Sequence, residues 1–319
     1  MSQWRLPNNL EDLLPAKAKK LELFRRDLID LFASYGYQYI MPSLLEYDDS
    51  LREHGKDLDL DTFKVVDQLS GRMMGISSDL TTQASRVDTY LTDQDNKENK
   101  LCYAGQILRT TASPGMSREL FQVGLEFFGN SKLIADIEVL TILIKSLKLV
   151  GIENITIDIN DLSIYQSIVN KIDLTTQELD DLSKAVILKD KSVAKDILKR
   201  FPKNKSVNNL ISLFDLYGDS SSIQGLKALY LQDSASDDLI KKLKIISTKV
   251  AELGAKVTFD FSDIRGYQYH RGLVFSAYAK GFTSTIAQGG RYDNLNASIG
   301  LKRPATGFSL DLRYLINNL

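Results

Sequence analysis

Cysteine and histidine are nearly missing from this chain. Its one cysteine, Cys102, excludes an internal disulfide and suits a reducing cytosol. With only His54 and His270, a histidine-rich metal site is not expected, and nothing calls for a metal or other cofactor. Excess positive charge is absent too: 40 Lys and Arg face 41 Asp and Glu, for a formal net charge of -1. That balance speaks against a dedicated nucleic-acid binder, which needs surplus cations to meet phosphates. No apolar run approaches the length of a membrane span, and the opening Met-Ser-Gln-Trp-Arg-Leu-Pro lacks the basic and then apolar pattern of a signal peptide. A cytoplasmic protein without membrane contact is expected. Internal repeats and low-complexity tracts are also lacking.

What remains is an ordinary globular composition, 43% hydrophobic and 25% charged, over 319 residues. That length implies one large domain with an insertion, or two domains. Leu21, Phe24, Leu28, Leu31 and Phe32 recur at helical spacing between Ala16 and Tyr35, with Gly36 placed to cap that helix. The aromatic and β-branched run Tyr37 to Met41 predicts a strand ended by Pro42. Further strands are expected within 62–76, over 101–109 and over Leu120 to Phe128. A helix should start at Asp79, and the polar stretch 92–100 should form an exposed loop. Leu133 to Leu147 carries an apolar stripe closed by Gly151, and Ile155, Ile157 and Ile159 alternate with polar residues as in a strand.

From Asp161 to Leu253 the chain turns poor in aromatics and helical in period, as in Leu239, Leu243, Ile246, Val250 and Leu253. Strand signals return after Ala255, including Leu273 to Tyr278 and Phe282 to Gln288. Successive strands without an intervening helix argue for antiparallel pairing.

The most specific stretch is Arg265-Gly-Tyr-Gln-Tyr-His-Arg-Gly-Leu-Val-Phe275, followed by Gly289-Gly-Arg-Tyr-Asp293. An arginine, several aromatic rings and glycine turns on adjacent strands suit a pocket for a small amino acid. Plainer readings stand beside it. Arg265 could pair with Asp263, Asp79 could be only a helix N-cap, and Gly289-Gly290 could be only a turn. Glu126, in an apolar run, either points away from its neighbours or is a buried carboxylate needing a partner. His270 suits a structural role, and Tyr267, Tyr269 and Phe275 could belong partly to the core.

Leu-Glu-Asp-Leu-Leu-Pro15 with its following helix, the strand ending at Pro42, Ile107-Leu-Arg-Thr-Thr111 with Phe121 to Gly129, the Arg265 segment and Gly289 to Asp293 occur in the order found in class II histidyl-tRNA synthetases. The chain resembles that family nearly throughout, outside residues 161–253. Phe63 to Arg72, Arg265 to His270 and Pro304 to Arg313 are most similar to the ATP phosphoribosyltransferase regulatory subunits, paralogues that serve histidine biosynthesis. Arg271 stands where that pattern has threonine.

The resemblance implies an α+β fold: a class II synthetase-like mixed, mostly antiparallel sheet flanked by helices. Residues 1–160 and 254–319 would form the synthetase-like core and 161–253 a helical insertion. No anticodon-binding domain is expected after Leu319, nor tRNA as a partner. Carried over residue by residue, Asp79, Thr81 and Gln122 would face a histidine ammonium, Arg265 its carboxylate and Glu126 an imidazole N–H; Arg109, Tyr269 and Gly289 complete the implied site. Each type suits its role chemically.

Departures fall where ATP would bind. Thr111 replaces a carboxylate, and in the last motif Asp311, Arg313 and Tyr314 stand where glycine, glutamate and arginine are the pattern. Adenylate formation depends on cations and metal at the reacting phosphates, so activation should be lost. The implied protein is a non-catalytic regulatory subunit that partners a short-form ATP phosphoribosyltransferase catalytic subunit and carries histidine feedback. A homodimer through Tyr37 to Glu46, inside a larger hetero-oligomer, goes with it. The alternative is a truncated synthetase forming histidyl-adenylate; a nucleic-acid-binding relic is a third.

Overall fold

The computed structural model describes residues 5–49, 60–92, 98–111, 116–202, 204–230, 234–265, 272–293 and 303–319. In chain order the first half contains α1 (Pro15–Ser34), β1 (Gln38–Ile40), β2 (Leu45–Tyr47), β3 (Lys64–Val66), β4 (Met73–Ile76), α2 (Leu80–Leu91), β5 (Asn99–Leu108), β6 (Glu119–Phe128), α3 (Leu133–Leu149) and β7 (Thr156–Asp161). A helical block follows: α4 (Ser163–Val169), α5 (Thr176–Ile187), α6 (Lys191–Leu198), α7 (Lys205–Leu213), α8 (Ser221–Tyr230) and α9 (Ser234–Glu252), with β8 (Tyr217–Gly218) between α7 and α8. The chain closes with β9 (Lys256–Asp260), β10 (Leu273–Tyr278), β11 (Ala287–Arg291), β12 (Ala305–Asp311) and α10 (Leu312–Asn318).

Nine strands form one sheet in the order β1-β5-β6-β12-β11-β10-β7-β9-β8, and β2-β4-β3 form a second. The pairs β1 with β5 and β7 with β9 are parallel, and the other pairs of the large sheet are antiparallel. The sheet is therefore mixed and mostly antiparallel, as expected. The helical block is the crossover that a parallel β7–β9 pair requires.

Strand alternation gives the large sheet two unlike faces. Following the register across it, Cys102, Leu125, Phe308, Gly289, Phe275, Ile159 and Phe259 share one face. The apolar side chains of this row join the core with Leu28 and Phe32 of α1 and Val139, Leu143 and Leu147 of α3. Phe32 meets Phe308 edge to face at 5.9 Å. The opposite face carries Gln122, Glu126, Ser309, Gln288, Ser276, Asp158 and Asn160, a polar row that α1 and α3 do not cover.

Three local expectations need correction. The loop expected over 92–100 is shorter, because Asn99 and Lys100 already pair with Phe128 and Phe127; residues 93–97 lie outside the described residues. Residues 161–253 are not wholly helical, since Tyr217 and Gly218 pair with Asp260 and Phe259. The strand expected over Phe282 to Gln288 begins only at Ala287 and runs through the paired glycines to Arg291. Phe282 instead closes a turn onto Ala279, and the Ser284 N–H is taken by the Tyr314 hydroxyl at 3.0 Å. Gly289 and Gly290 are thus strand residues, which suits the tight seating of Gly289 against Phe275 and the Gly307 carbonyl and of Gly290 against the Leu273 carbonyl and Val274.

Candidate functional site

The polar face of the sheet gathers most of the described residues singled out in the sequence. Asp79 adopts extended backbone and N-caps α2, its Oδ1 accepting the Thr81 N–H at 2.9 Å. The same oxygen accepts the side-chain amide of Gln122 at 2.9 Å, and Gln122 Oε1 accepts the Leu80 N–H at 2.7 Å. Asp79 is therefore both a cap and a wall of the site. The Thr81 hydroxyl lies 3.0 Å from that of Tyr103, which donates to Glu126 Oε1 at 2.9 Å. Tyr292 donates to the other carboxylate oxygen, Oε2.

Glu126 is 1% exposed. Burial pushes its carboxyl up to about 8, although the two tyrosine hydroxyls partly offset that by favouring the ionised form. Both tyrosines are held well above their ordinary value, first by burial and then by the neighbouring carboxylate. Each oxygen of the Glu126 carboxyl has a further lone pair beyond the one facing its tyrosine hydroxyl, so the group can accept an N–H as well.

Glycines make room for this cluster. A Cβ at Gly124 would lie 2.6 Å from the Tyr103 hydroxyl, and one at Gly307 would collide with the Glu126 carboxylate. Gly289 differs: its Cβ direction points at the Phe275 ring, 2.6 Å away, on the helix-covered face. It contributes backbone, not a side-chain position, to the polar side.

Arg265 is not in the Glu126 cluster. It lines a separate cavity of about 130 Å³ with Asp158, Asn160, Asp263, Ser276 and Gln288, which includes none of Asp79, Thr81, Gln122 or Glu126. Its guanidinium forms an ion pair with Asp263, the plainer reading allowed by the sequence. Arg109 is half-buried, and its Nε donates to the Ser78 carbonyl at 3.1 Å. Tyr269, with Tyr267, His270 and Arg271, lies outside the described residues. Sequence reasoning missed Tyr103, Tyr292, Asp158 and Asn160 as site residues. The alternation that marked Ile157 and Ile159 as core also put Asp158 and Asn160 on the other face.

The positions that depart from the synthetase pattern are occupied by internal contacts. Thr111 donates to Asp61 at 2.6 Å. Asp311 N-caps α10 and also accepts the Phe121 N–H at 3.0 Å, and burial pushes its carboxyl up to about 6. Arg313 pairs with Glu119 at 3.1 Å and donates to the Glu11 carbonyl at 2.8 Å. Tyr314 is buried, with its ring 5.8 Å from that of Phe282. Among the described residues no group of three His, Cys, Asp or Glu could hold a metal ion, and no helix is long and apolar enough to cross a membrane.

A family model described as histidyl-tRNA synthetase matches residues 9–315. The ATP phosphoribosyltransferase regulatory subunit of Methylobacillus flagellatus is 39% identical over 321 residues, covering 100% of this chain and 82% of the relative. Among solved structures, an ATP phosphoribosyltransferase regulatory subunit/histidyl-tRNA synthetase from Bacillus halodurans superposes with a TM-score of 0.87 at 23% identity, over 100% of this chain and 84% of that one. A chain of the ATP phosphoribosyl transferase (HisG:HisZ) complex from Thermotoga maritima superposes with a TM-score of 0.68 at 17% identity, over 94% and 98%. These two likenesses establish the fold. The full-length identity goes further: this chain belongs to the ATP phosphoribosyltransferase regulatory subunit family, built on the histidyl-tRNA synthetase fold.

Proposed function

We propose that this chain is the regulatory subunit of a short-form ATP phosphoribosyltransferase, catalyses nothing itself, and confers activation and histidine feedback on its partner. That partner condenses ATP with phosphoribosyl pyrophosphate at the start of histidine biosynthesis. The observation that carries the reading is the contrast between the two halves of the synthetase-like face. Asp79, Gln122 and Glu126 stand together on it, while the nucleotide-side positions are spent on internal contacts: Thr111 on Asp61, Arg313 on Glu119, and Tyr314 in the core.

In this reading the histidine ammonium meets Asp79, Thr81 and Gln122, its ring N–H meets Glu126, and its carboxylate draws Arg265, with Arg109, Tyr269 and Gly289 around it. Feedback then requires histidine to prefer one of two states of the complex, a coupling typically of about 1–3 kcal/mol. Residues 1–160 with 254–319 form the synthetase-like unit, 161–253 the insertion, and the cytoplasm is the place of action. Copies pair through Tyr37 to Glu46, where Tyr39, Met41, Leu44 and Leu45 are exposed, within a larger hetero-oligomer that excludes tRNA.

The test is to mix the purified chain with the short transferase and measure phosphoribosyl transfer with and without histidine. Activation that histidine reverses is expected. A transferase fully active alone and indifferent to this chain would overturn the reading. Histidine-dependent exchange of pyrophosphate into ATP by this chain alone would favour the truncated synthetase instead.

A further inference from the structure

The guanidinium assigned to the ligand carboxylate is already engaged. Arg265 Nε donates to Asp263 Oδ1 at 2.8 Å and a terminal nitrogen donates to Oδ2 at 2.6 Å, the two-pronged arrangement that matches arginine to any carboxylate. The same terminal nitrogen reaches the Tyr278 hydroxyl at 3.3 Å. Asp263 Oδ1 also accepts the Arg265 backbone N–H at 3.2 Å. Burial alone would push the Asp263 carboxyl up, but the hydrogen bonds and charge of Arg265 outweigh it and hold the group below its ordinary value.

We propose that Asp263 is an internal competitor for the ligand's carboxylate: it holds Arg265 in the two-pronged pair, and the amino acid binds by drawing the guanidinium away. The inference rests on the reading that histidine delivers its carboxylate to Arg265. The exchange is chemically even, since one carboxylate replaces another on the same fork. Asp263 is the more buried partner, its side chain 16% exposed against 51% for Arg265, so water reaches the guanidinium side of the pair and a ligand carboxylate can approach it there.

Release does not strand Asp263. The charge of Lys189 also lowers its carboxyl, and Lys189 Nζ is held in place by Asp260 at 2.8 Å and Ser262 at 2.6 Å. The backbone N–H of Arg265 stays available to Oδ1. The consequence is a ligand affinity set below what a free fork would give, which raises the histidine concentration at which feedback begins.

Calorimetric titration of the full chain with histidine, and with histidinol, which lacks the carboxylate, tests this. Asp263→Asn keeps an acceptor for the backbone N–H but loses the charge; it should bind histidine roughly three- to ten-fold tighter and histidinol unchanged. Tyr278→Phe should shift histidine the same way by less, and serves if Asp263→Asn does not fold. If the folded variants bind histidine no tighter while Arg265→Gln weakens it, the competitor role is overturned and the site stands. If Arg265→Gln leaves histidine affinity unchanged, the underlying site reading fails as well.

Discussion

Gly307 lies directly opposite Glu126 in the β6–β12 register, and the Glu126 carboxylate fills the space that a side chain at Gly307 would take. A methyl group there would also press on the Leu125 carbonyl, so relief by rotating Glu126 alone is incomplete. We expect Gly307→Ala to destabilise the fold by about 1–3 kcal/mol in urea unfolding and to weaken histidine binding more than tenfold. Affinity within two-fold of the parent would place Glu126 outside the ligand's path.

The raised carboxyl of Glu126 makes stability depend on pH. Below the ordinary value of 4.5 the group is protonated in both states. Between there and about 8 the unfolded chain gives up the proton while the folded protein keeps it, so stability falls as pH rises and levels off above. Glu126→Gln should remove that fall. Asp311, also raised, is common to both proteins and cancels in the difference. Parallel denaturation curves for the two proteins from pH 5 to 8 would contradict the expectation.

Tyr314 tests whether the nucleotide half can be restored. Tyr314→Phe loses the hydroxyl that accepts the Ser284 N–H and should cost about 0.5–1.5 kcal/mol. Tyr314→Arg, which returns the synthetase residue, should cost more, because it buries a cation against the Phe282 ring in place of a fitted phenol. Thermal melts rank the two. We expect no pyrophosphate exchange from the arginine variant.

Arg291, within the Gly-Gly-Arg-Tyr-Asp stretch, ties that strand to α3. Its guanidinium meets Asp136 at 2.9 Å, with the two side chains 7% and 1% exposed. Arg291→Gln should cost on the order of 3–5 kcal/mol by leaving a buried carboxylate without its cation. The double variant Arg291→Met with Asp136→Leu should recover much of that loss. A single variant as stable as the parent would refute the structural role.

The exposed apolar stretch after β1 gives an assembly test. Met41 is 82% exposed, so Met41→Glu should leave the melting temperature nearly unchanged. Sedimentation should shift from dimer towards monomer. An unchanged dimer would move the pairing surface elsewhere.

Much of this architecture was legible because its signals are periodic. Ile155, Ile157 and Ile159 announced β7, and Leu243, Ile246 and Val250 announced the buried side of α9. The extent of β11 was not legible, since glycine pairs mark turns more often than strands, and only the register against Phe275 and Phe308 explains them here. Asp79, Thr81, Gln122 and Glu126, which the structure brings together, could be named through the family resemblance. Tyr103 could not, because it resembles any aromatic core residue, and its hydroxyl acquires a partner only when β5 lies beside β6. The pairing of Arg265 with Asp263 was legible as an i, i+2 possibility, but its competition with a ligand needed the cavity beside it.

The glycines under the Glu126 cluster have a thermodynamic consequence. Tyr103 lies over Gly124 and the Glu126 carboxylate over Gly307, each in a slot that its own atoms nearly fill. Side chains confined in this way have few rotamers left to lose, so the entropy of ordering them is spent during folding and not when a ligand arrives. The Glu126 carboxylate is thereby held rigid by folding itself.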